Sequence, residues 1–368
     1  MKRRNAYLAL SAMTLLALVL AACGGAATPT AAPTSAPEQP TSAPAPTEAP
    51  VEAPTETPVT EPFRVAVVMP SAHNDLAFSQ SMYDSLVKIQ QEMGEGNFQF
   101  VYSENMFVVD DAAAAVRDYA TQGYDLVIAH GSQYGSSLVE IAPDFPDTSF
   151  AWGTTVDTFT DQGVKNVYAY TVVSDEGGYV GGVMAAMLTK SGIIGVIGPI
   201  PAGDGKRTVD GFVAGVKATK PEIEPLVTFT GSFSDVTLAA QAAQTDIDAG
   251  ADVLTGTAQM VVGAIGVAKD KGVLWFGNQS SETSLAPEVV YANQVYDWTV
   301  ALKPIIESIK GGKLGGEAHI LSLANAGISI EYNPDFAFPE GVKEKAEETI
   351  KGLIDGSIKT GMAPPGQE

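Results

Sequence analysis

The residues whose types and spacing could do chemistry are few, and each fails a spacing test. Gly203-Asp204-Gly205-Lys206-Arg207-Thr208 carries the glycines and the lysine of a phosphate-binding loop. The G-x-x-x-x-G-K-[ST] pattern wraps phosphates in backbone amides and holds magnesium through a hydroxyl; here Ile200 takes the first glycine's place and Arg207 the hydroxyl's, so the match fails. Gly131-Ser132-Gln133-Tyr134-Gly135 sets its serine one position too early for the G-x-S-x-G elbow that exposes a nucleophile. His73, His130 and His319 are far apart and lack ligand spacing, so no zinc site is expected. His130 ends an apolar run in a loop and reads as a surface or hydrogen-bonded histidine rather than a functional one. Asp110 and Asp111 are explained by helix capping. The expectation is a protein without catalytic residues, metal or cofactor.

The elements that would carry these residues centre on Tyr170–Gly198, which reads as strand end, acidic turn, small-residue helix and second strand. Asp175 and Glu176 fall where a helix N-terminus offers unpartnered amides and the positive end of its dipole, and are expected as caps at a cleft edge. Gly177, Gly178, Gly181 and Gly182 are poor helix formers, so another backbone is expected to approach this helix closely, and it is a candidate junction between two parts of the molecule.

On either side, short apolar runs alternate with amphipathic helices. Strands are expected at 64–69, 98–102, 125–129, 149–152 and 167–171, then at 193–197, 226–229, 252–255, 273–276, 289–294 and 327–331. Helices are expected at 78–93, from Asp110 to near Gly123, and at 134–142, 208–219, 236–249, 260–271, 298–310 and 342–354. Alternation of this kind specifies parallel sheets covered on both faces, here as two doubly wound, Rossmann-like α/β lobes. Ligands of open α/β sheets bind beyond the carboxyl ends of the strands. The loops there are 71–78, 130–134, 153–155, 173–176, 199–206, 231–235, 256–259 and 277–281, and they predict a polar cleft with a few rings.

The start of the chain is of another kind. Lys2, Arg3 and Arg4 precede an apolar run from Ala6 to Val19, closed by Leu20-Ala21-Ala22-Cys23, an export signal too short to span a membrane. It resembles the bacterial lipobox, which implies cleavage after residue 22 and lipidation of Cys23, the only cysteine. Residues 23–62 are rich in Pro, Thr and Ala and cannot bury enough surface to fold; they read as a tether reaching up to roughly 100 Å at polyproline rise. The formal charge of −22 sets the chain against nucleic acid. The expected organisation is a first lobe at 63–172 completed by about 297–335, a second at 173–296, and a C-terminal helix and tail at 336–368.

Glu176-Gly177-Gly178-Tyr179-Val180-Gly181-Gly182, Gly211-Phe212-Val213-Ala214-Gly215-Val216, Gly231-Ser232-Phe233-Ser234-Asp235 and Ala249-Gly250-Ala251-Asp252-Val253 together resemble the basic membrane protein family, the PnrA-like substrate-binding lipoproteins of ABC transporters. The resemblance runs from about Val65 to Gly311. It implies a periplasmic-binding-protein type I fold with three crossings between the lobes, closing on a nucleoside or purine-like ligand. Phe78 matches the family's first-loop ring, and Ser79 replaces the asparagine that follows it. Ser136 or Ser137 stands where an aspartate usually meets ribose; Phe233 matches a base-sandwiching ring, with Asp235 nearby. Asn278 replaces a sugar-binding aspartate, and Gln294 or a neighbour replaces a lysine, with Trp298 close by. With the cleft-loop residues Ser132 and Tyr134, these are the expected ligand contacts. Stacking rings without acidic sugar clamps imply a planar heterocycle such as a free purine base. The expected setting is a monomer on the extracytoplasmic face of the cell membrane, held by its lipid and serving an ABC permease. The alternatives are a signalling lipoprotein, or a receptor for a sugar or a riboflavin-like ligand.

Overall fold

A computed structural model describes residues 61–367, so the export segment, Cys23 and nearly all of the tether lie outside the described residues. From Phe63 the chain lays down five strands, β1 (Phe63–Val68), β2 (Phe98–Ser103), β3 (Leu126–Ala129), β4 (Ser149–Gly153) and β5 (Val167–Val172). A second five follow, β6 (Ile194–Gly198), β7 (Leu226–Phe229), β8 (Val253–Gly256), β9 (Leu274–Gln279) and β10 (Val290–Tyr296), and then β11 (Ala318–Leu321) and β12 (Ile328–Tyr332). They form two six-stranded sheets, ordered β11-β5-β4-β3-β1-β2 and β12-β10-β9-β8-β6-β7. The first is parallel throughout; the second is parallel except for β12, which runs antiparallel to β10. Every residue of β3, β5, β6 and β8 is buried, the continuous apolar pattern of strands covered on both faces.

The covering helices are α1 (Phe78–Met93), α2 (Val109–Thr121), α3 (Gly135–Ile141), α4 (Ser174–Leu188), α5 (Gly203–Thr219), α6 (Val236–Asp248), α7 (Val261–Lys271), α8 (Thr299–Lys310) and α9 (Val342–Asp355). The chain passes between the sheets after β5, after β10 and after β11. β11, absent from the sequence reading, is short and mostly unburied, so it shows little apolar pattern. β12, expected to help complete the first lobe, instead covers the open edge of β10 in the second sheet.

Two helix starts differ from expectation. Val108, not Asp110, is the N-cap of α2; Asp110 and Asp111 lie in its first turn, where their charge meets the helix dipole. α5 begins at Gly203 rather than Thr208, because Gly203 turns the chain at φ +62° and the residues taken for a loop are already helical.

The glycines of α4 are used on two sides. Side chains at Gly177 and Gly181 would run into Gln294 of β10 and Phe276 of β9. Side chains at Gly178 and Gly182 would strike the backbone of α5 at Thr208 and Phe212, while Gly211 and Gly215 of α5 meet the backbone of α4 at Asp175 and Tyr179. The close backbone approach is there, but its partner belongs to the same lobe, so α4 is a packing element of the second sheet rather than the junction between lobes. Asp175 and Glu176 are not caps. The Asp175 carboxylate is buried and takes Arg207 Nε at 2.5 Å and the hydroxyl of Thr360, while Glu176 accepts the backbone N–H of Leu323 at 2.8 Å. Because the opposing atoms at Gly182 are backbone and cannot swing aside, Gly182→Ala is expected to destabilise the protein by about 1–3 kcal/mol, read as a fall in thermal midpoint, whereas Gly192→Ala, in open space but at φ +75°, tests backbone strain alone.

Candidate functional site

With eleven of the twelve strands parallel, the loops at their carboxyl ends collect on facing edges of the two sheets and enclose a cavity of about 420 Å³. That volume lies within the about 300–1,000 Å³ usual for small-molecule sites. From the first sheet come Pro70, Phe78, Phe107, Val109, Ser132, Gln133 and Thr154; from the second come Pro199, Ile200, Ala202 to Gly205, Phe233, Thr257, Ala258, Gln259 and Gln279. The two rims touch. Gln259 Nε2 donates to Ser71 Oγ at 3.0 Å, and the Phe107 and Phe233 rings lie 6.2 Å apart at 49°.

Three phenyl rings, Phe78, Phe107 and Phe233, furnish the apolar wall. Phe78 is set from behind: its ring stacks on His130 at 3.8 Å and 6°. His130 in turn is fully buried, with Nε2 at 3.1 Å from the Phe78 carbonyl and Nδ1 at 2.8 Å from the Tyr170 hydroxyl. A carbonyl only accepts, so Nε2 carries the proton and Nδ1 accepts from Tyr170. Burial lowers the imidazole pKa to about 3, and the ring stays neutral at ordinary pH.

The polar lining is mostly neutral, with Asp204 the one carboxylate among the lining residues. Thr257 Oγ1, Gln259 Oε1 and Gln279 Oε1 are buried oxygens without a hydrogen-bond partner. Thr154, Ala258 and Gln279 hold left-handed backbone at φ 63°, 79° and 74°, each costing on the order of 1–3 kcal/mol, a strain that concentrates at binding sites.

The expected contacts divide by position. Phe78, Ser132 and Phe233 line the cavity. Ser79 lies one layer behind, bonded to Ser71 Oγ at 2.6 Å. Asn278 and Gln294 are buried and bonded to each other at 3.1 Å, with the Asn278 amide also held by Thr255 and Gly256. Tyr134 is core, its hydroxyl spent on the Met106 carbonyl, and Trp298 is wholly buried against the back of Phe78. Ser136 is exposed on α3, and Asp235 caps α6 through the N–H groups of Thr237 and Leu238. Gln259 and Gln279 fall in loops already assigned to the cleft, but nothing in their residue type singled them out. Phe107 was missed because the β2–α2 loop was not counted; its signal is the apolar run Met106 to Val109 between strand and helix, of which Phe107 and Val108 are exposed. Among the described residues no cluster could hold a metal ion, and no helix is long and apolar enough to cross a membrane.

The family model for PnrA-like ABC transporter substrate-binding proteins (Bmp) matches residues 63–360. The chain belongs to that family. Substrate-binding proteins of this family are extracytoplasmic, take small-molecule ligands and deliver them to a permease. A purine-binding protein of Brucella abortus is 26% identical over 304 residues, covering 83% of this chain and 84% of its own. The transcriptional activator protein med of Bacillus subtilis is 28% identical over 302 residues, covering 82% of this chain and 90% of its own. A solute-binding protein of an ABC transporter system from Aeropyrum pernix superimposes with a TM-score of 0.70 at 20% identity, over 83% of this chain and 94% of that one. That likeness bears on fold, which is the periplasmic-binding-protein type I fold in two lobes.

The buried His130 has a consequence for stability. Its folded-state pKa, about 3, is below the unfolded value of roughly 6.5, so its contribution is complete above about pH 6.5 and is lost as pH falls towards 3. The loss amounts to at most about 1.4 kcal/mol per pH unit in that window. Thermal unfolding followed between pH 7 and 4 is expected to fall more steeply for the wild type than for His130→Gln; parallel curves would contradict it.

Proposed function

We propose that this PnrA-like protein is the lipid-anchored, monomeric receptor of an ABC transporter, capturing a purine base or similar planar heterocycle by lobe closure and presenting it to the permease. The observation that carries this reading is the cavity itself. Phenyl rings from both sheets wall a space whose polar groups are almost all amides and hydroxyls, a lining suited to a flat, uncharged ring that stacks and hydrogen-bonds at its edges. The positions where acids would meet ribose support a base over a nucleoside: Ser136 is exposed on α3, and Asn278 spends its amide inside the protein. A binding rather than catalytic role is supported by His130, whose two nitrogens are both engaged by neighbours. The relative named as a transcriptional activator favours a second reading, in which the same closure feeds a signalling partner; a permease recovered with the protein from membranes decides for transport.

Isothermal titration with adenine, guanine, hypoxanthine and their nucleosides tests the ligand class. Bases are expected to bind more tightly than nucleosides, and Phe233→Ala to lose about 1–3 kcal/mol, the worth of one stacked ring. Absence of binding by the whole panel at high micromolar concentration would sink the purine reading. For the anchor, the expected outcome is that Cys23→Ser moves the protein from the membrane fraction to the soluble one; unchanged membrane retention argues against lipidation at Cys23.

A further inference from the structure

The hydroxyl of Ser71 is the centre of a fully determined hydrogen-bond arrangement. Ser71 Oγ lies 2.5 Å from Asp75 Oδ2, 2.6 Å from Ser79 Oγ and 3.0 Å from Gln259 Nε2. A hydroxyl has one proton and two lone pairs, and a carboxylate only accepts. Ser79 Oγ has Ser71 Oγ as the one acceptor within reach of its proton. Ser79 therefore donates to Ser71, and Ser71 donates to Asp75. One lone pair remains on Ser71, and whatever faces it from the second lobe must be a donor. Asp75 is itself fixed, since its carboxylate takes the backbone N–H groups of Ala77, Ser79 and Gln80 at the start of α1.

That chain of donors sets the orientation of the Gln259 amide. The nitrogen faces Ser71, so the oxygen faces the other way. Gln259 lines the cavity, and its Oε1 is buried without a partner. Thr257 Oγ1 and Gln279 Oε1, on the same wall, are in the same condition. A buried acceptor left unpaired is costly, and a ligand that brings an N–H to it removes that cost.

We infer that Gln259 is a two-ended specificity residue: its nitrogen latches the second lobe to Ser71 of the first, and its oxygen accepts an amino N–H from the ligand. The inference rests on the proposed purine site and names what that site selects, an amino-substituted ring over the same ring with an oxo group in that place. An oxo group would set oxygen against oxygen. Recognition and closure are thereby joined in one side chain, whose nitrogen serves the latch and whose oxygen serves the ligand.

The test measures dissociation constants for each amino purine against its oxo counterpart, adenine against hypoxanthine and guanine against xanthine, in the wild type, Ser71→Ala, Gln259→Leu and Gln259→Glu. Circular dichroism melts confirm that each variant is folded. The wild type is expected to favour an amino purine by about ten-fold or more, the scale set by an unpaired buried acceptor. Ser71→Ala is expected to weaken both members of a pair by about five-fold, one ordinary hydrogen bond, with their ratio kept. Gln259→Leu is expected to bring the ratio towards one. A wild-type preference for the oxo purine, or a ratio that survives Gln259→Leu, overturns the inference while leaving purine binding intact. If the wild type binds no purine, the functional reading falls instead, and the latch is judged without ligand by small-angle scattering. A larger radius of gyration in Ser71→Ala and Gln259→Glu than in the wild type supports it, and identical profiles overturn it.

Discussion

The cleft can exist because the passages between the two sheets are bonded to one another. The first and third are joined where Val173 N–H donates to the Leu321 carbonyl at 2.9 Å, and the second and third where Asp297 N–H donates to the Gly327 carbonyl at 3.0 Å. Glu176, at the start of α4, adds its carboxylate to Leu323 of the third passage. Separate connections would let the lobes twist as well as swing. A laterally bonded ribbon leaves bending about one edge as the soft motion, which is the hinge geometry of binding proteins that close on ligand. Trp298, in the second passage, fastens that ribbon to the first lobe: its indole N–H donates to Ser81 Oγ at 2.8 Å and its backbone N–H to Ser85 Oγ at 3.0 Å, both on α1. Its ring meets the edges of Phe78, His130, Tyr170 and Tyr296. The hinge and the cavity-lining ring Phe78 are thus one packed unit, and a movement of either is felt by the other.

On the second lobe the rigid counterpart is the α4–α5 pair, whose backbones touch through glycines on both helices. It also holds the end of the chain. Asp175 binds Thr360, and Arg207 binds Asp175 and the Ala363 carbonyl at 2.6 Å. A little further on, a side chain at Gly366 would press on Val156 in the loop after β4 of the first sheet. The C-terminal segment therefore leaves α9, is tied to the second lobe by hydrogen bonds of Thr360 and Ala363 to the buried Asp175–Arg207 ion pair, and then meets the first lobe at Val156. Removing either charge would strand the other in a buried place and take away one of the two hydrogen bonds that hold the segment.

The fold was legible because its signals are periodic and redundant. Strands such as β3 and β6 are buried on both faces and read as runs without a polar residue, and the alternation with helices admits little but two parallel sheets. Where periodicity was weak the reading failed, as at β11, with little burial, and at the start of α5, whose first turn is Gly203-Asp204-Gly205. The cleft loops were legible for a topological reason, since parallel strands put their carboxyl ends on one edge. The individual contacts were less so. Residue type does not tell Phe233, which faces the cavity, from Trp298, which lies behind it, and it does not tell Gln259, which lines the cavity, from Gln294, which is buried outside that lining. That distinction is made by packing across the hinge, between residues far apart in the chain.

The state of the cavity bears on how closure is balanced. Its walls come from both sheets, so a ligand makes its full set of contacts only when the lobes are together, and it shifts the equilibrium by that difference. Contacts formed by the protein alone, Gln259 to Ser71 and Phe107 to Phe233, favour the closed form whether or not ligand is present. The unpartnered oxygens of Thr257, Gln259 and Gln279 and the left-handed backbone at Thr154, Ala258 and Gln279 disfavour it. A binding protein needs both sides. If the closed form were far downhill when empty, it would hide the site from ligand and engage the permease without cargo; if it were far uphill, the affinity would fall by the fraction of competent molecules. Placing a protein–protein hydrogen bond and a ligand-seeking oxygen on the two ends of one amide keeps those opposing terms in the same side chain, where a single residue change alters both together.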